Sequence, residues 1–212
     1  MFFIRYILLL VLLAIGIFCY FRMEKSLVVK FLCSALVFTY GVSGALGAAD
    51  NSAFRFLLAG GLLCCVIGDV AIAYSFTSGM AVFAAAHICF IAGFITAGLF
   101  SRPAVPLLVF AILIAPVLFA VLKFNFIKME LRTAVCLYAA LLSFMASLAV
   151  YAPALRGFTC WSVTLALGSV LFLVSDALLA VMTSGRAENI IDYISLPAYY
   201  LAISMFAHNI NL

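Results

Sequence analysis

The sequence predicts an all-α, polytopic transmembrane bundle of about eight spans, and three observations predict it. Of the 212 residues, 69% are hydrophobic and only 8% are charged, whereas soluble domains run near half apolar and a quarter charged. The apolar residues fall in successive runs of about 20, the length that crosses a bilayer core. Polar, Pro and Gly punctuation separates the runs, and no series of alternating strands replaces them, which argues against a barrel. Eight spans consume about 160 residues. Only short loops remain, so any activity must be built from the spans and their connections.

The elements follow in order. The first run, 2–21, is longer than a signal-peptide core and ends in Cys19, Tyr20, Phe21 and Arg22 rather than a small-residue cleavage site, so it reads as a retained span. Arg22, Glu24 and Lys25 form a short loop into the second span, 27–47. Asp50, Asn51 and Ser52 make a polar turn before the third, 54–76. Thr77, Ser78 and Gly79 read as a tight turn into the fourth, 80–100, which Arg102 and Pro103 end. The fifth covers 104–122, and Lys123, Asn125, Lys128 and Glu130 follow it. The sixth covers 133–152 and ends at Pro153, with Arg156 and Gly157 in the next turn. The seventh covers 162–183, residues 184–188 are loop, and the eighth covers 190–210. All eight belong to a single transmembrane domain, 1–212.

Loops alternate between two sides of the membrane. One side collects Arg22, Lys25, Lys30, Lys123, Lys128, Arg132 and Arg186; the other collects Arg5, Arg55, Arg102 and Arg156. The positive-inside rule places the first group in the cytoplasm and both termini outside. The net charge of +4 reflects these loop residues. No basic run or aromatic platform suggests nucleic acid as a partner. The seven cysteines form no CxxC pattern and read as small buried hydrophobes.

Two spans share a pattern. The third contains Gly61, Gly68, Asp69 and Ala73; the seventh contains Gly168, Ser175, Asp176 and Ala180. In each, a small residue precedes the aspartate, a glycine lies eight residues earlier and an alanine four later. The pattern fits either a four-helix duplication or two helices that pack closely through small residues. An ionisable residue inside the bilayer costs about 2.5–3.5 kcal/mol on insertion scales, and marks a cavity or a partner. By helix rise, Asp69, Asp176, His87 and Lys30 all lie roughly 5–12 Å inside the same face. That common depth suggests one polar pocket. Tyr138, Tyr199 and Tyr200 are further phenols able to line it. His208 lies at the far end of its span and reads as interfacial, and Arg5 as a snorkelling residue near the chain start. Two carboxylates whose surroundings split their protonation suit a general acid and base. Catalytic zinc normally takes three protein ligands, mostly His, and the two histidines lie at opposite depths, so no metal is expected. No GxSxG elbow marks a serine hydrolase.

The ordered motifs resemble the YhhN-like family of membrane proteins, the lysoplasmalogenase family. They are Gly68-Asp69, Phe83-Ala84-Ala85-Ala86-His87, Ser175-Asp176-Ala177-Leu178-Leu179-Ala180, Pro197-Ala198-Tyr199-Tyr200-Leu201-Ala202, and Lys30 at the start of the second span. Ile203 and Phe31 stand where that family commonly carries glutamine and proline. The resemblance covers nearly the whole chain. It implies hydrolysis of the vinyl ether bond of lysoplasmalogens to a fatty aldehyde and a glycerophospho-base, with no cofactor. Asp69 and Asp176 are then the catalytic pair, and Lys30, His87, Tyr138, Tyr199 and Tyr200 surround the lysophospholipid substrate. The compact, loop-poor chain suits a bacterial inner membrane. A transporter or proton-coupled carrier using the same aspartates is the alternative, although no pair of broken helices signals one. A histidine-rich metal amidase fits the two histidines poorly, and a non-catalytic lipid sensor would tolerate loss of either carboxylate.

Overall fold

A computed structural model describes residues 2–47, 52–123, 129–182 and 191–212. The polar turn at Asp50 and Asn51, the connection through Asn125 and Lys128, the loop that includes Ser184, Gly185, Arg186 and Glu188, and the span ends expected at Thr183 and Ile190 lie outside these residues. The described residues form eight helices and no strand. They are α1 (Phe2–Arg22), α2 (Leu27–Gly47), α3 (Ala53–Tyr74), α4 (Phe76–Thr96), α5 (Ala104–Lys123), α6 (Met129–Arg156), α7 (Cys160–Met182) and α8 (Asp192–Asn211).

Six of these helices close a ring in which α2 packs on α3, α3 on α4, α4 on α6, α6 on α7, α7 on α8 and α8 back on α2. α8 also touches α3 across the ring. α1 lies outside it against α2 and α8, and α5 packs on α6 alone among the described residues. The outer helices show what they face. Phe3, Ile4, Leu8, Ile15 and Phe18 of α1, and Leu108, Ile112 and Phe119 of α5, are each more than half exposed. That apolar surface requires lipid as its solvent. Six helices (α1, α2, α3, α4, α6 and α7) are long and apolar enough by themselves to cross a membrane. α5 is a further strongly apolar helix of 20 residues. α8 packs against α1, α2, α3 and α7, and nearly all of its second half is buried. It can therefore carry Tyr199, Tyr200, Ser204, His208, Asn209 and Asn211 without showing them to lipid.

Small residues set the closest approaches, as expected where lipid removes the hydrophobic drive between helices. The glycines of the shared pattern each seat an aromatic ring from the next helix. Gly61 lies under Phe90 of α4, and a Cβ on Gly168 would stand 3.1 Å from the ring of Phe206 of α8. Asp69 and Asp176 stand sixteen residues into α3 and α7, respectively. Phe90, Phe94, Phe172 and Phe206 are fully buried. Their rings meet at centroid distances of 4.8 Å for Phe90–Phe206 and 5.9 Å for Phe94–Phe206, forming the apolar centre of the ring.

Several boundaries differ from the expected ones for identifiable reasons. Thr77, Ser78 and Gly79 are helical rather than a turn. Ser75 alone reverses the chain: it is extended (φ −155°, ψ 125°), ends α3, and caps α4 by accepting a hydrogen bond from the Ser78 amide at 3.4 Å. Gly79 permits that short turn, because a Cβ there would meet the Ile72 Cα at 2.7 Å. Pro153 does not end α6, which continues to Arg156. A proline near the last turn forfeits one backbone bond, and Gly157 at φ +79° performs the termination instead. Gly98 at φ +81° ends α4 earlier than Phe100.

His208 is buried, not interfacial. Its ring stacks on Tyr6 at 4.1 Å, and its Nδ1 bonds the Tyr40 hydroxyl at 3.1 Å. Nearby, Arg55 donates to the Ile210 carbonyl and Asn211 to the Tyr40 carbonyl. These bonds tie the end of α8 to α1, α2 and α3.

Gly79→Ala is expected to lower the melting temperature in detergent, with overpacking costing about 1–3 kcal/mol. Gly60→Ala, where the nearest atom lies 3.9 Å away, serves as the control. Equal melting of the two variants would show that the α3–α4 turn does not depend on a bare Cα.

Candidate functional site

Each of the six ring helices sends a polar side chain to one region of the interior. Lys30 and Ser34 are one helical turn apart on α2 and so share a face. The Lys30 ammonium lies 3.0 Å from Asp69 Oδ1. Ser34 donates to Asp69 Oδ2, and Tyr199 of α8 donates to the same oxygen at 2.9 Å. Asp69 is 1% exposed. A buried carboxylate needs a charge partner together with hydrogen bonds to its remaining lone pairs, and α2 and α8 supply both. Tyr200 turns the other way and donates to the Lys30 carbonyl at 2.8 Å. Tyr200 therefore pins α8 to α2 behind the lysine and does not line the cavity, contrary to the sequence expectation.

Asp176 has a different set of partners. Tyr138 of α6 donates to its Oδ2, and His87 Nε2 of α4 lies 3.0 Å from the Tyr138 oxygen and 3.6 Å from the carboxylate. For a neutral imidazole, the hydrogen bonds select the tautomer. Tyr138 spends its hydrogen on Asp176, so its oxygen accepts one from His87 Nε2. That leaves His87 Nδ1 as the bare nitrogen, and this atom is buried with no hydrogen-bond partner in the protein. His87 is fully buried, its ring 4.9 Å from Phe172. It lies about three turns into α4 because that helix starts at Phe76, deeper than its expected depth. His87 thus touches the site through Tyr138 and Asp176. Among the described residues no lysine or arginine pairs with Asp176 and none hydrogen-bonds its Oδ1.

The two carboxylates border a single cavity of about 180 Å³ that Lys30, Tyr20, Tyr199 and Asp192 also line, with Ile72, Phe83 and Leu179 as apolar wall. A smaller crevice of about 40 Å³ adjoins it, lined by Asp176, Tyr138, Phe83 and apolar residues of α4, α6 and α7. At the rim, Lys25 pairs with Asp192 at 2.7 Å. The Phe21 and Tyr193 rings stack beside this pair at 4.2 Å. Ser175 and Ser195 each donate to the other's carbonyl at 3.0 Å, which fixes α7 to α8 next to Asp176. Among the described residues no three His, Cys, Asp or Glu side chains gather as a metal-binding group.

Sequence reasoning missed Ser34, the Ser175–Ser195 pair and Asp192. Ser34 had a signal, its position four residues after Lys30. Asp192 had none, because a carboxylate at a helix start reads as an ordinary loop residue.

An α-helical polytopic membrane protein with a polar cavity built between its spans is the class that the fold and site define. Within that class, the chain belongs to the YhhN family, whose model matches residues 25–210. The match runs from the loop after α1 nearly to the end of α8 and includes every ring helix. No curated protein and no solved structure matches the chain.

Lys30→Met would leave Asp69 as an uncompensated buried carboxylate. The variant is expected to lose about 3–5 kcal/mol of stability. Adding Asp69→Asn should restore most of the loss. Chemical unfolding of the two single variants and the double variant measures the coupling. Additive losses would show that the ion pair does not hold α2 to α3.

Proposed function

We propose that this protein is a membrane-embedded hydrolase that cleaves the vinyl ether bond of lysoplasmalogens, the activity its family resemblance implies. The observation that carries the proposal is that two carboxylates with contrasting partners border one cavity inside the bundle. Asp69 faces an ammonium, whereas among the described residues the polar partners of Asp176 are Tyr138 and His87. The reaction needs this combination. A proton adds to the outer alkene carbon, the double-bond electrons form the new C–H bond, and the ether oxygen shares the positive charge with its carbon. Water adds to that carbon and loses a proton. The hemiacetal then breaks its C–O bond to release a fatty aldehyde and the glycerophospho-base. One carboxylic acid supplies the first proton, and one carboxylate stabilises the cation and guides water, as the paired carboxylates of glycosidases do.

The surroundings suit an amphiphile. Lys30 stands within reach of a phosphate, and the Lys25–Asp192 pair at the rim offers both charges to a zwitterionic headgroup. The cavity lies at the end of the bundle that carries Lys25 and Lys30, the cytoplasmic side by the positive-inside rule. His87 and Tyr138 act as positioning residues that hold Asp176 Oδ2 and leave Oδ1 to the substrate.

Purified protein is expected to release fatty aldehyde from a lysoplasmalogen. In heavy water, protonation of the outer carbon should place one deuterium on carbon 2 of the aldehyde. Asp69→Asn and Asp176→Asn should remain folded and lose at least about 100-fold in rate. Vesicles that take up the lipid without forming aldehyde would instead support a carrier.

A further inference from the structure

Asp176 stands at a boundary between two kinds of space. On one side is the larger cavity, with Lys30, Asp69 and Asp192 in its wall. On the other is the crevice, where the Tyr138 hydroxyl meets the carboxylate and the rest of the named wall, Phe76 and Met80 of α4, Val135 of α6 and Leu179 of α7, is hydrocarbon. Phe76, Val135 and Leu179 are partly exposed, so the crevice leads toward the outer surface of the bundle between α4, α6 and α7. The charged side chains Lys30, Asp69 and Asp192 thus lie to one side of Asp176, and a wall that is hydrocarbon apart from Tyr138 lies to the other.

The proposed substrate has the same order. Its headgroup and glycerol are polar, its chain is apolar, and the vinyl ether joins them. We propose that the crevice is the subsite for the first carbons of the alkenyl chain, and that it makes Asp176 the proton donor and Asp69 the cation-stabilising carboxylate. This inference rests on the hydrolase reading above. With the chain in the crevice and the phosphate toward Lys30, the outer alkene carbon, which bears the chain, lies at Asp176. The carbon bonded to oxygen lies toward Asp69. Protonation occurs at the outer carbon, and positive charge develops at the oxygen-bearing one.

Proton bookkeeping agrees with this order. A protonated Asp69 would forgo its ion pair with Lys30, whereas a protonated Asp176 forgoes no pair with a lysine or arginine of the described residues and keeps its neighbour His87. Its Oδ2 can still accept from Tyr138 while Oδ1 carries the transferable hydrogen. Delivery of that proton leaves Asp176 as a carboxylate. The proton lost by the attacking water restores the acid, so the cycle closes without another reactant.

Three measurements test the assignment. First, a saturated ether analogue, which cannot be hydrolysed, carries a diazirine on an early chain carbon. Irradiated with the wild-type protein, it should label α4 and α6 near Met80 and Val135; labelling spread over α1 and α5 would overturn the subsite. Secondly, Met80→Trp and Val135→Trp fill the crevice. Each should lower kcat/KM for a long-chain substrate by about tenfold or more and change that for a propenyl substrate less than about twofold; equal losses on both substrates would overturn it. Thirdly, an analogue with a secondary ammonium in place of the ether oxygen mimics the cation. Asp69→Asn should weaken its binding by about tenfold or more and Asp176→Asn by less than about twofold. The reverse order would overturn the assignment of roles. A wild-type protein that releases no aldehyde would refute the hydrolase reading itself, while the labelling pattern would still decide the crevice.

Discussion

The ion pair between Lys30 and Asp69 is the constraint on which the rest of this structure depends. A carboxylate that is 1% exposed inside a lipid-facing bundle is tolerable only with its charge and both oxygens satisfied. Three helices meet that demand: α2 brings Lys30 and Ser34, α8 brings Tyr199, and α3 brings the carboxylate itself. Tyr200 then bonds the backbone of Lys30, so the lysine is held from behind as it reaches forward. The ring cannot close in another register without stranding one of these groups.

The second carboxylate obeys the same rule by other means. Tyr138 and His87 occupy one oxygen of Asp176, and the Nδ1 of His87 is buried without a hydrogen-bond partner. A charged partner on one aspartate and a hydrogen-bonding relay on the other give the cavity two unlike ends. That asymmetry, rather than the mere presence of two acids, is what acid–base chemistry requires.

Much of this was legible in the amino-acid order because bilayer physics leaves few options. Runs of apolar residues located the helices, with α2 matching its expected bounds of 27–47. The cost of ionisable groups in lipid singled out Asp69, Asp176, His87 and Lys30 from an almost uncharged chain. What remained hidden depended on the facing of single side chains. Tyr199 and Tyr200 are adjacent, so they project about 100° apart on a helix, and only coordinates show that one meets Asp69 and the other the α2 backbone. His208 looked like a surface residue because it stands at a helix end, yet Tyr6 and Tyr40 cover it. The one-residue turn at Ser75 escaped detection because Thr77-Ser78-Gly79 carries a stronger loop signature than a lone serine.

The polarity of α8 bears on how the molecule is made. α8 buries more polar side chains than the apolar helices around it, among them Ser204, His208, Asn209 and Asn211. α8 bonds to Asp69 and the Lys30 carbonyl on one side and to the α7 backbone on the other. Docking α8 between these partners is therefore the step that shuts Asp69 away from its surroundings, and a bundle without it holds an unfinished chamber.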